Sequence, residues 1–462
     1  MSRLVLTTEL LNQLRAELLA SPLETCAILY GRVAIQNGRI ARIIVREYQR
    51  LGDYDYQSRT TLSAQIRPDV VAAAAKKARQ SGATLIFAHS HPFPLNQFSE
   101  TDDVGEKILG EFLSCRMPGT LHATLLVTPE VTIARVLGGD KTLKVLGVGP
   151  QLVWGGEVEG GNSHQVYDRQ VRAFGEAGQR RLRAMRVGIV GLGGTGSIVL
   201  EQLAHLGVGD FMLIDADVVE RTNLNRLVGA TEADISKPKV EVAAALAKRI
   251  NSKVHAETIR DSVLLARVAE KLVDIDFLFA CTDSHGSRAV LNQLAYQYLI
   301  PTIDMGVIIV APDAKIQQIA GRAQMLAPGL GCLICGNLLN PEKVRVDLLT
   351  DFERAAEHYI NGTNEPAPAV ISLNANMASM AVTMFLSAAI GIPSRPRYIN
   401  YDGITGKVRP AEVSRHPKCI DCSIPRGLAR ANEWPLRARM SAPPVTAVPS
   451  SIHLDESHAT SL

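Results

Sequence analysis

Short apolar runs and one clear helical pattern alternate through the first part of the chain. Residues 68–80 are rich in alanine and begin with Pro68, which suits the first turn of a helix. Four apolar stretches have the length of strands: residues 26–31, 40–45, 84–89 and 121–129. The pattern predicts an N-terminal domain of mixed strands and helices, and thus of the α/β class.

From residue 166 onward, strands and helices alternate in the regular order of a parallel, doubly wound sheet. The predicted strands are residues 186–190, 211–214, 277–280 and 301–305. The predicted helices are residues 197–206 and 240–250. Parallel strands that are buried on both faces have continuous apolar sequences, and the four predicted strands show this pattern. The sequence therefore predicts a second α/β domain.

In two stretches of the chain, the apolar residues follow neither the helical nor the strand periodicity. Residues 138–163 contain glycines and scattered polar residues, and are predicted to form a linker. After Cys422 the chain is rich in Ser, Pro, Ala and Arg, so residues 423–462 are predicted to be a disordered tail. The predicted domains therefore span residues 1–137 and 164–422.

Composition narrows the class of protein. The chain is 46% hydrophobic and 21% charged, as in a globular protein. Its net charge of +3 is nearly neutral for this length and gives no sign of a basic surface for nucleic acid. Its first twenty residues mix charges into the apolar positions, unlike a secretory signal. No uninterrupted apolar run approaches the roughly twenty residues that span a bilayer. We expect a cytoplasmic enzyme without nucleic-acid or membrane partners.

Five residues of the first domain suggest a catalytic metal site. His89 and His91 alternate on one strand, so both point to the same side, and Asp102 follows after a loop as a possible oxygen ligand. Two histidines and one carboxylate leave an open position on Zn²⁺. Glu24 is the candidate for moving a proton, and Ser99 for a hydrogen bond to the oxyanion or the metal-bound water.

A simpler alternative exists for each residue. Ser99 and Asp102 have the spacing of a helix cap, and a lone His-x-His pair is often only a surface feature. The whole set, however, resembles the JAMM motif of JAB/MPN metalloproteases. That resemblance implies zinc bound by His89 and His91 with Asp102, Glu24 as acid and base, and cleavage at the C-termini of ubiquitin-like proteins.

A glycine-rich loop opens the second domain. Asp215 follows about twenty residues later, at the end of the next predicted strand. The loop lies between a strand and a helix, where glycines let phosphate approach backbone N–H groups. Its glycines are Gly191, Gly193, Gly194 and Gly196. These features alone would equally suit a dehydrogenase that binds a dinucleotide in a Rossmann-like fold.

The residues that follow the loop favour ATP instead. Asn223 and Arg226 precede Lys239, and the two cations are within reach of the phosphates. Asp283 follows a later strand at the carboxyl edge of the sheet, where it can hold Mg²⁺. Cations and a metal-holding carboxylate suit attack on an α-phosphate, whereas hydride transfer needs neither.

This ordered set, with residues 167–172 upstream, resembles the E1/ThiF/MoeB adenylating enzymes from about residue 166 to 422. The resemblance implies a Rossmann-like fold and adenylation of the C-terminal glycine of a ubiquitin-like or sulfur-carrier protein. It also implies a homodimer in which Arg169 reaches the ATP site of the partner.

Four of the seven cysteines form two Cys-x-x-Cys pairs. Four thiolates fill the coordination of zinc, so this site is predicted to be structural. Its ligands would be Cys332, Cys335, Cys419 and Cys422. The adenylating family carries the same site, while four unrelated buried thiols remain the alternative.

The chain departs from many E1 relatives in its crossover loop, because residues 359–370 contain no cysteine. Of the remaining thiols, Cys26 lies in a predicted strand and Cys115 is expected to be a small core residue. Cys281 is expected to pack behind Asp283. We therefore expect the adenylate to pass directly to a separate acceptor, such as the thiol of an E2-like protein, sulfide or an amine.

Three complete interpretations follow. The first is a bifunctional enzyme that activates a ubiquitin-like protein and cleaves at its C-terminus, for maturation of a precursor or for deconjugation. The second is activation of a sulfur carrier for cofactor or cysteine synthesis. The third is a non-catalytic docking module for ubiquitin-fold partners, which would have no need of Glu24 or Asp283.

Overall fold

The computed structural model describes residues 2–36, 38–158, 160–161, 165–350, 353–354 and 368–440. The first domain contains β1 (Arg3–Thr7), α1 (Thr8–Leu18), β2 (Cys26–Gln36), β3 (Arg39–Arg50), β4 (Tyr56–Arg59), β5 (Ala64–Ile66), α2 (Pro68–Ser81), β6 (Thr84–Ser90), α3 (Glu100–Arg116), β7 (Ala123–Val127), β8 (Thr132–Val136), β9 (Thr142–Val148) and β10 (Val153–Trp154). The predicted strands and the alanine-rich helix are present near their predicted positions.

The sheet of the first domain runs in the order β1-β3-β2-β6-β7-β8-β9-β10. It closes on itself because β1 pairs in parallel with both β3 and β9. One face packs around α1 through Leu11, Leu14 and Leu18. Part of the opposite face packs against α2 and α3.

The predicted linker, residues 138–163, is wrong for β9 and β10, which lie within it and belong to the sheet of the first domain. β9 pairs with both β1 and β8, and Val145 belongs to the core around α1. Leu146 and Val148 are buried against the second domain instead. Both faces of this strand are thus covered, so its sequence lacks the alternation of a half-exposed strand.

The second domain contains α4 (Asp168–Ala184), β11 (Arg186–Val190), α5 (Gly194–His205), β12 (Asp210–Ile214), α6 (Lys239–Ile250), β13 (His255–Ile259), α7 (Ala266–Ala269), β14 (Phe277–Ala280), α8 (His285–Gln297), β15 (Thr302–Val310), β16 (Gln318–Leu326), α9 (Pro341–Leu348), α10 (Ile371–Ile390), β17 (Tyr398–Asp402) and β18 (Lys407–Pro410). Its strands follow the order β13-β12-β11-β14-β15-β16-β17-β18. The first five are parallel and the last three pair antiparallel. The predicted doubly wound α/β fold is confirmed.

Helix α10 is long and apolar enough to cross a membrane by length and composition, with a mean hydropathy of 1.4 in its most apolar window. In this fold it packs against α5, β15 and β16. Phe385 is fully buried and meets the ring of Phe277 edge-on at 4.8 Å between centroids. Its apolar residues therefore contribute to the core of the second domain.

The predicted disordered tail is wrong for residues 423–440. Leu428 and Ala431 are buried, and the Gln297 side chain donates to the carbonyl oxygens of Ala431 at 2.6 Å and Trp434 at 2.7 Å. These polar contacts hold a segment that has few large apolar residues. Residues 441–462 lie outside the described part of the chain.

Candidate active sites

The first candidate site lies where β6 ends. His89 is in the strand and His91 follows it, with Ser90 between them, so the two imidazoles share a side and their ring centroids are 5.2 Å apart. Asp102, in the first turn of α3, places Oδ1 3.2 Å from His89 Nε2 and Oδ2 3.3 Å from His91 Nε2. The three predicted ligands therefore converge.

These three residues could hold one metal ion, because their ligand atoms all lie within 4.8 Å of one another. His89 Nε2 is buried and faces Asp102 Oδ1, not solvent. His91 Nδ1 contacts the carbonyl oxygen of Leu95 at 3.0 Å, which leaves its Nε2 to face the other ligands. Two imidazoles and one carboxylate suit a catalytic zinc with an open position.

Charge and burial around these ligands suit hydrolysis. Burial opposes ionisation of Asp102, but hydrogen bonds from His89 and His91 hold its pKa well below the usual range. Glu24 places Oε1 3.7 Å from His91 Nε2. Burial raises the pKa of Glu24, and the two histidines partly oppose the shift. A carboxyl group with a raised pKa is suited to accept and return a proton near neutral pH.

Ser99 is the N-cap of α3. Its hydroxyl donates to Asp102 Oδ2 at 2.8 Å and accepts from the Asp102 backbone N–H at 3.2 Å. The capping alternative is therefore correct for this pair, and Asp102 is also directed at both histidines. The oxyanion role of Ser99 stays a prediction.

Several neighbours of this site were not predicted. The Arg135 guanidinium stacks on Phe98 at 4.0 Å, and Phe98 lies 6.0 Å from the His89 ring between centroids. Arg135 is paired with buried Glu106 at 2.9 Å. No local sequence pattern links these residues, since folding alone brings β8, α3 and the loop after β6 together.

The second candidate site is a cleft of about 520 Å³ at the carboxyl ends of β11, β12 and β14. Predicted residues that line it are Gly191, Gly193, Gly194, Asp215, Asn223, Arg226, Lys239 and Asp283. An open α/β sheet binds its ligands at this edge. The structure therefore brings the predicted nucleotide residues together, except for Gly196 and Arg169.

The glycine loop is shaped by close backbone contacts. Gly191 has φ +87°, and a Cβ there would meet the carbonyl oxygen of Cys281 at 2.6 Å. At Gly196, behind the loop, a Cβ would lie 1.9 Å from the Gly191 carbonyl oxygen. These glycines let β11 turn sharply into α5, whose first residues line the cleft, and a helix N-terminus suits a phosphate.

Asp215 contacts the loop directly. Its Oδ2 accepts from the Leu192 N–H at 2.6 Å, and its Oδ1 accepts from the Asp217 N–H at 2.8 Å. Burial raises its pKa, whereas these two hydrogen bonds act in the opposite direction. The carboxylate thus fixes the loop and also lines the cleft, where the predicted contact with ribose would be made.

The two predicted cations, Arg226 and Lys239, both line the cleft. Arg226 donates to the Thr222 carbonyl oxygen at 2.6 Å, and Lys239 Nζ lies 2.7 Å from Asp217 Oδ2. The Lys239 side chain is 11% exposed, so it is directed into the fold and not into solvent. Asp283 is exposed in the loop after β14. Cations and an oxygen ligand thus surround the position expected for phosphates.

Two further cleft residues were missed in the sequence. Asn374 lies on α10 and is 6% exposed, and a Cβ at Gly194 would meet its Nδ2 at 2.2 Å. Arg288 on α8 lines the cleft and lies 3.3 Å from the buried carboxylate of Asp304. Asn374 comes from an element distant in sequence, whereas Arg288 lies on the helix that follows Asp283 but belongs to no motif with local spacing.

Arg169 is exposed on α4, away from the lining residues of this cleft. Its predicted contact with the site of a second protomer stays a prediction.

The four predicted zinc cysteines meet between the end of β16 and the segment after β18. Sγ atoms lie 3.5 Å apart for Cys332 and Cys419, and 3.5 Å apart for Cys335 and Cys422. All four lie within 4.8 Å of one another, so they could hold a metal ion. Four sulfurs at this separation fit tetrahedral zinc, whose bonds to sulfur are about 2.3 Å long.

The remaining cysteines differ from one another in exposure. Burial raises the pKa of Cys26 to about 12 and also raises that of Cys281, so neither thiol ionises readily. Cys115 is exposed on α3, so its predicted role as a core residue is wrong. The helix turns this position to solvent, whereas Leu113 is buried. Most of the crossover loop, residues 359–367, lies outside the described residues.

Comparison with known proteins finds a separate match for each of the two domains. Residues 7–135 match a family described as prokaryotic homologs of the JAB domain. A molybdopterin-synthase adenylyltransferase of Escherichia coli is 28% identical over 260 residues, 55% of this chain and 95% of that protein. The corresponding enzyme of Haemophilus influenzae is 34% identical over 204 residues, 39% of this chain and 84% of that protein.

A third relative is the SAMP-activating enzyme E1 of Haloferax volcanii, 34% identical over 161 residues. The match covers 35% of this chain and spans 56% of the length of that enzyme. Residues 167–421 match the ThiF family itself, and they make up more than half of the 462 residues. This chain therefore belongs to the ThiF family and joins a ThiF domain to a JAB-like domain.

Proposed function

We propose that the ThiF domain adenylates the C-terminal glycine carboxylate of a ubiquitin-like or sulfur-carrier protein. The observation that carries this proposal is the convergence of the glycine loop with Arg226 and Lys239 in one cleft. In this proposal the loop holds the phosphates of ATP, the cations stabilise charge on the phosphates as pyrophosphate leaves, and Asp283 holds Mg²⁺. The names of the relatives in Escherichia coli and Haloferax support the same class of reaction.

The test is ATP–pyrophosphate exchange with candidate small proteins that end in glycine, each compared with a form extended beyond that glycine. Exchange should occur only with the exposed glycine. Lys239→Ala should abolish it, while Lys237→Ala should not, because Lys237 is paired with Asp234 on the exposed surface. Absence of exchange with every candidate would favour the docking-module interpretation.

The JAB-like domain supports a second activity, zinc-dependent cleavage at the C-terminus of the same class of protein. A zinc ion held by His89, His91 and Asp102 would activate water and polarise the scissile carbonyl. Glu24 would take a proton from the water and return it to the leaving amine. The convergence of these four side chains is the observation that favours this activity.

The cleavage test uses the extended forms described above. Wild-type chain should release the mature glycine end, and Glu24→Gln should lose this activity while retaining zinc. Glu111→Gln is the matched control, because Glu111 is an exposed carboxylate on α3 away from the ligands. Equal cleavage by wild type and the Glu24 variant would contradict the assigned role.

The acceptor and the assembly complete the proposal. Because Cys26 is buried and the pKa of the half-buried Cys281 thiol is raised, we propose direct transfer of the adenylate to a separate thiol, sulfide or amine. A separate E2-like protein is one such acceptor. We also propose a homodimer in which Arg169 contacts the second protomer, testable by light scattering and by loss of exchange in Arg169→Ala.

A further inference from the structure

The position of Glu24 depends on the β4–β5 hairpin. Glu24 lies in the irregular segment between α1 and β2, so no helix or strand ladder fixes it. Its backbone N–H donates to the Thr60 carbonyl oxygen at 2.8 Å. Its own carbonyl oxygen accepts from Arg59 Nε at 2.8 Å. Both backbone polar groups of Glu24 are therefore bonded to the hairpin.

The same segment is tied on its other side to the strand that carries the histidines. The Thr25 N–H donates to Ser90 Oγ at 3.0 Å, and the Ser90 N–H donates to the Thr25 carbonyl oxygen at 2.9 Å. Ser90 lies between His89 and His91. Residues 24–25 thus connect the hairpin to the strand that carries the histidines. A displacement of the hairpin would therefore move Glu24 relative to the metal ligands.

Arg59 is the side chain that makes the hairpin contact, and it is itself held in place. Its Nη1 lies 3.1 Å from Asp53 Oδ1, and its guanidinium lies 5.1 Å from the Tyr56 ring centroid. A further N–H donates to Thr25 Oγ1. The planar guanidinium offers several donors in fixed directions, so one side chain can hold two successive residues of the segment.

We propose that Arg59 is a positioning residue that sets the Glu24 carboxylate beside the metal ligands. The proposal rests on the peptidase function given above. Proton transfer requires the carboxylate to be held within about 0.5 Å of its working position. Without Arg59, the Glu24 carbonyl loses its donor and the segment between α1 and β2 can relax. The ligands remain in place, because they are carried by β6 and α3.

The first test does not depend on cleavage. Amide hydrogen exchange of the full-length, zinc-loaded chain is compared for wild type, Arg59→Ala and Arg67→Ala. Arg67 is the matched control, since it lies just after the same hairpin and pairs with exposed Asp69. Exchange should accelerate at residues 20–26 in the Arg59 variant alone and stay unchanged at residues 84–88 of β6. Unchanged exchange at residues 20–26 would overturn the proposal.

The second test measures cleavage of a sulfur-carrier protein whose terminal glycine carries a fluorogenic peptide extension. Arg59→Ala should lower kcat about 10- to 100-fold, as expected for a residue that orients a catalytic group, with KM and bound zinc nearly unchanged. Arg59→Lys should recover part of the loss, because lysine keeps a donor. A rise in KM at unchanged kcat would overturn the proposal.

A double mutant separates positioning from general damage. If Arg59 acts through Glu24, Arg59→Ala should not lower further the slow residual cleavage rate of the Glu24→Gln variant, measured at high enzyme concentration. Independent losses that multiply would show that Arg59 acts elsewhere. If wild type fails to cleave the probe, the peptidase function is what fails, and the exchange measurement still decides whether Arg59 holds the segment.

Discussion

Asp102 makes two kinds of contact, and its Oδ2 takes part in both, because this atom caps α3 and also lies 3.3 Å from His91 Nε2. Oδ2 accepts from the Ser99 N–H at 2.7 Å and so closes the capping box of α3. Oδ1 faces His89 Nε2 at 3.2 Å. Capping and metal binding are therefore compatible in this residue, because the helix start fixes the carboxylate that the histidines need.

These two contacts can be separated by mutation. Asp102→Asn keeps an acceptor for the cap but loses the carboxylate contacts with both histidines, so the metal-free chain should lose about 1–3 kcal/mol of unfolding free energy. Its zinc affinity should fall by more than about 100-fold. Loss of a residue that only hydrogen-bonds to a metal ligand already lowers affinity about 10- to 100-fold, and Asp102 is itself a predicted ligand. Titration with zinc and denaturant unfolding measure the two effects.

Ser99→Ala is the reciprocal variant. It should lose about 1 kcal/mol of stability, as is usual for an N-cap, and keep most of the zinc affinity. If both variants lost stability and zinc to the same extent, the two contacts would not be separable.

Cys281 tests whether the adenylating site uses a thiol of its own. Burial raises the pKa of this thiol, and the thiolate is the nucleophilic form. We expect Cys281→Ser to retain pyrophosphate exchange and wild type to form no reductant-sensitive adduct with the carrier protein. Cys115→Ser is the control for an exposed thiol. An adduct that disappears in either variant would contradict direct transfer.

At the scale of elements, the features that could be predicted are local ones. The β11–α5 loop was recognised because its glycines are adjacent in sequence, and the strand carrying His89 because its apolar run is continuous. β9 was missed because it is buried on both faces by elements distant in sequence. Arg59 and Asn374 were missed for a related reason, since tertiary packing alone brings them to the sites.

The turn from β11 into α5 predicts a difference between two of its glycines. A Cβ at Gly196 would lie 1.9 Å from a backbone oxygen, whereas one at Gly193 would meet nothing within 4 Å. Gly196→Ala should therefore shift the loop and abolish ATP binding, measured by calorimetric titration. Gly193→Ala should leave the melting temperature unchanged. Normal ATP binding by Gly196→Ala would contradict this account of the loop.

At the scale of the whole molecule, the two domains share one apolar core. Alternate residues of β1 face opposite sides: Leu4 and Leu6 pack around α1, whereas Val5 joins the core of the second domain. Ile44 on β3 and Leu146 on β9 are in register with Val5 and join the same core. The second domain therefore covers a face of the first that would otherwise be exposed.

Polar contacts fix this interface in one orientation. Arg3 lies 2.5 Å from Asp276 Oδ1, and Asp276 is 1% exposed. Arg42, also 1% exposed, donates to four carbonyl oxygens of the second domain. The acceptors belong to Val273, Ile275, Tyr298 and Leu299. These carbonyls precede β14 and β15, so the first domain docks on the edge of the sheet opposite to the nucleotide cleft.

The shared core predicts that both domains of the full-length chain unfold together. Calorimetry and the fluorescence of Trp154, whose indole N–H donates to the Ala389 carbonyl oxygen across the interface at 2.9 Å, should give one coincident transition. Arg42→Met removes the donor of four buried carbonyls, each unpaired one costing about 1–3 kcal/mol. We expect a loss on the order of 3 kcal/mol or more, because water can reach part of the loosened interface.

Arg39→Met is the matched control, since Arg39 is exposed on the same strand and should leave stability unchanged. Two separate transitions in the wild type would contradict the shared core. If Arg42→Met splits a single wild-type transition into two, the arginine couples the domains and each retains a fold of its own. If the transition moves to lower temperature and stays single, the apolar face formed by Val5, Ile44 and Leu146 is sufficient for coupling.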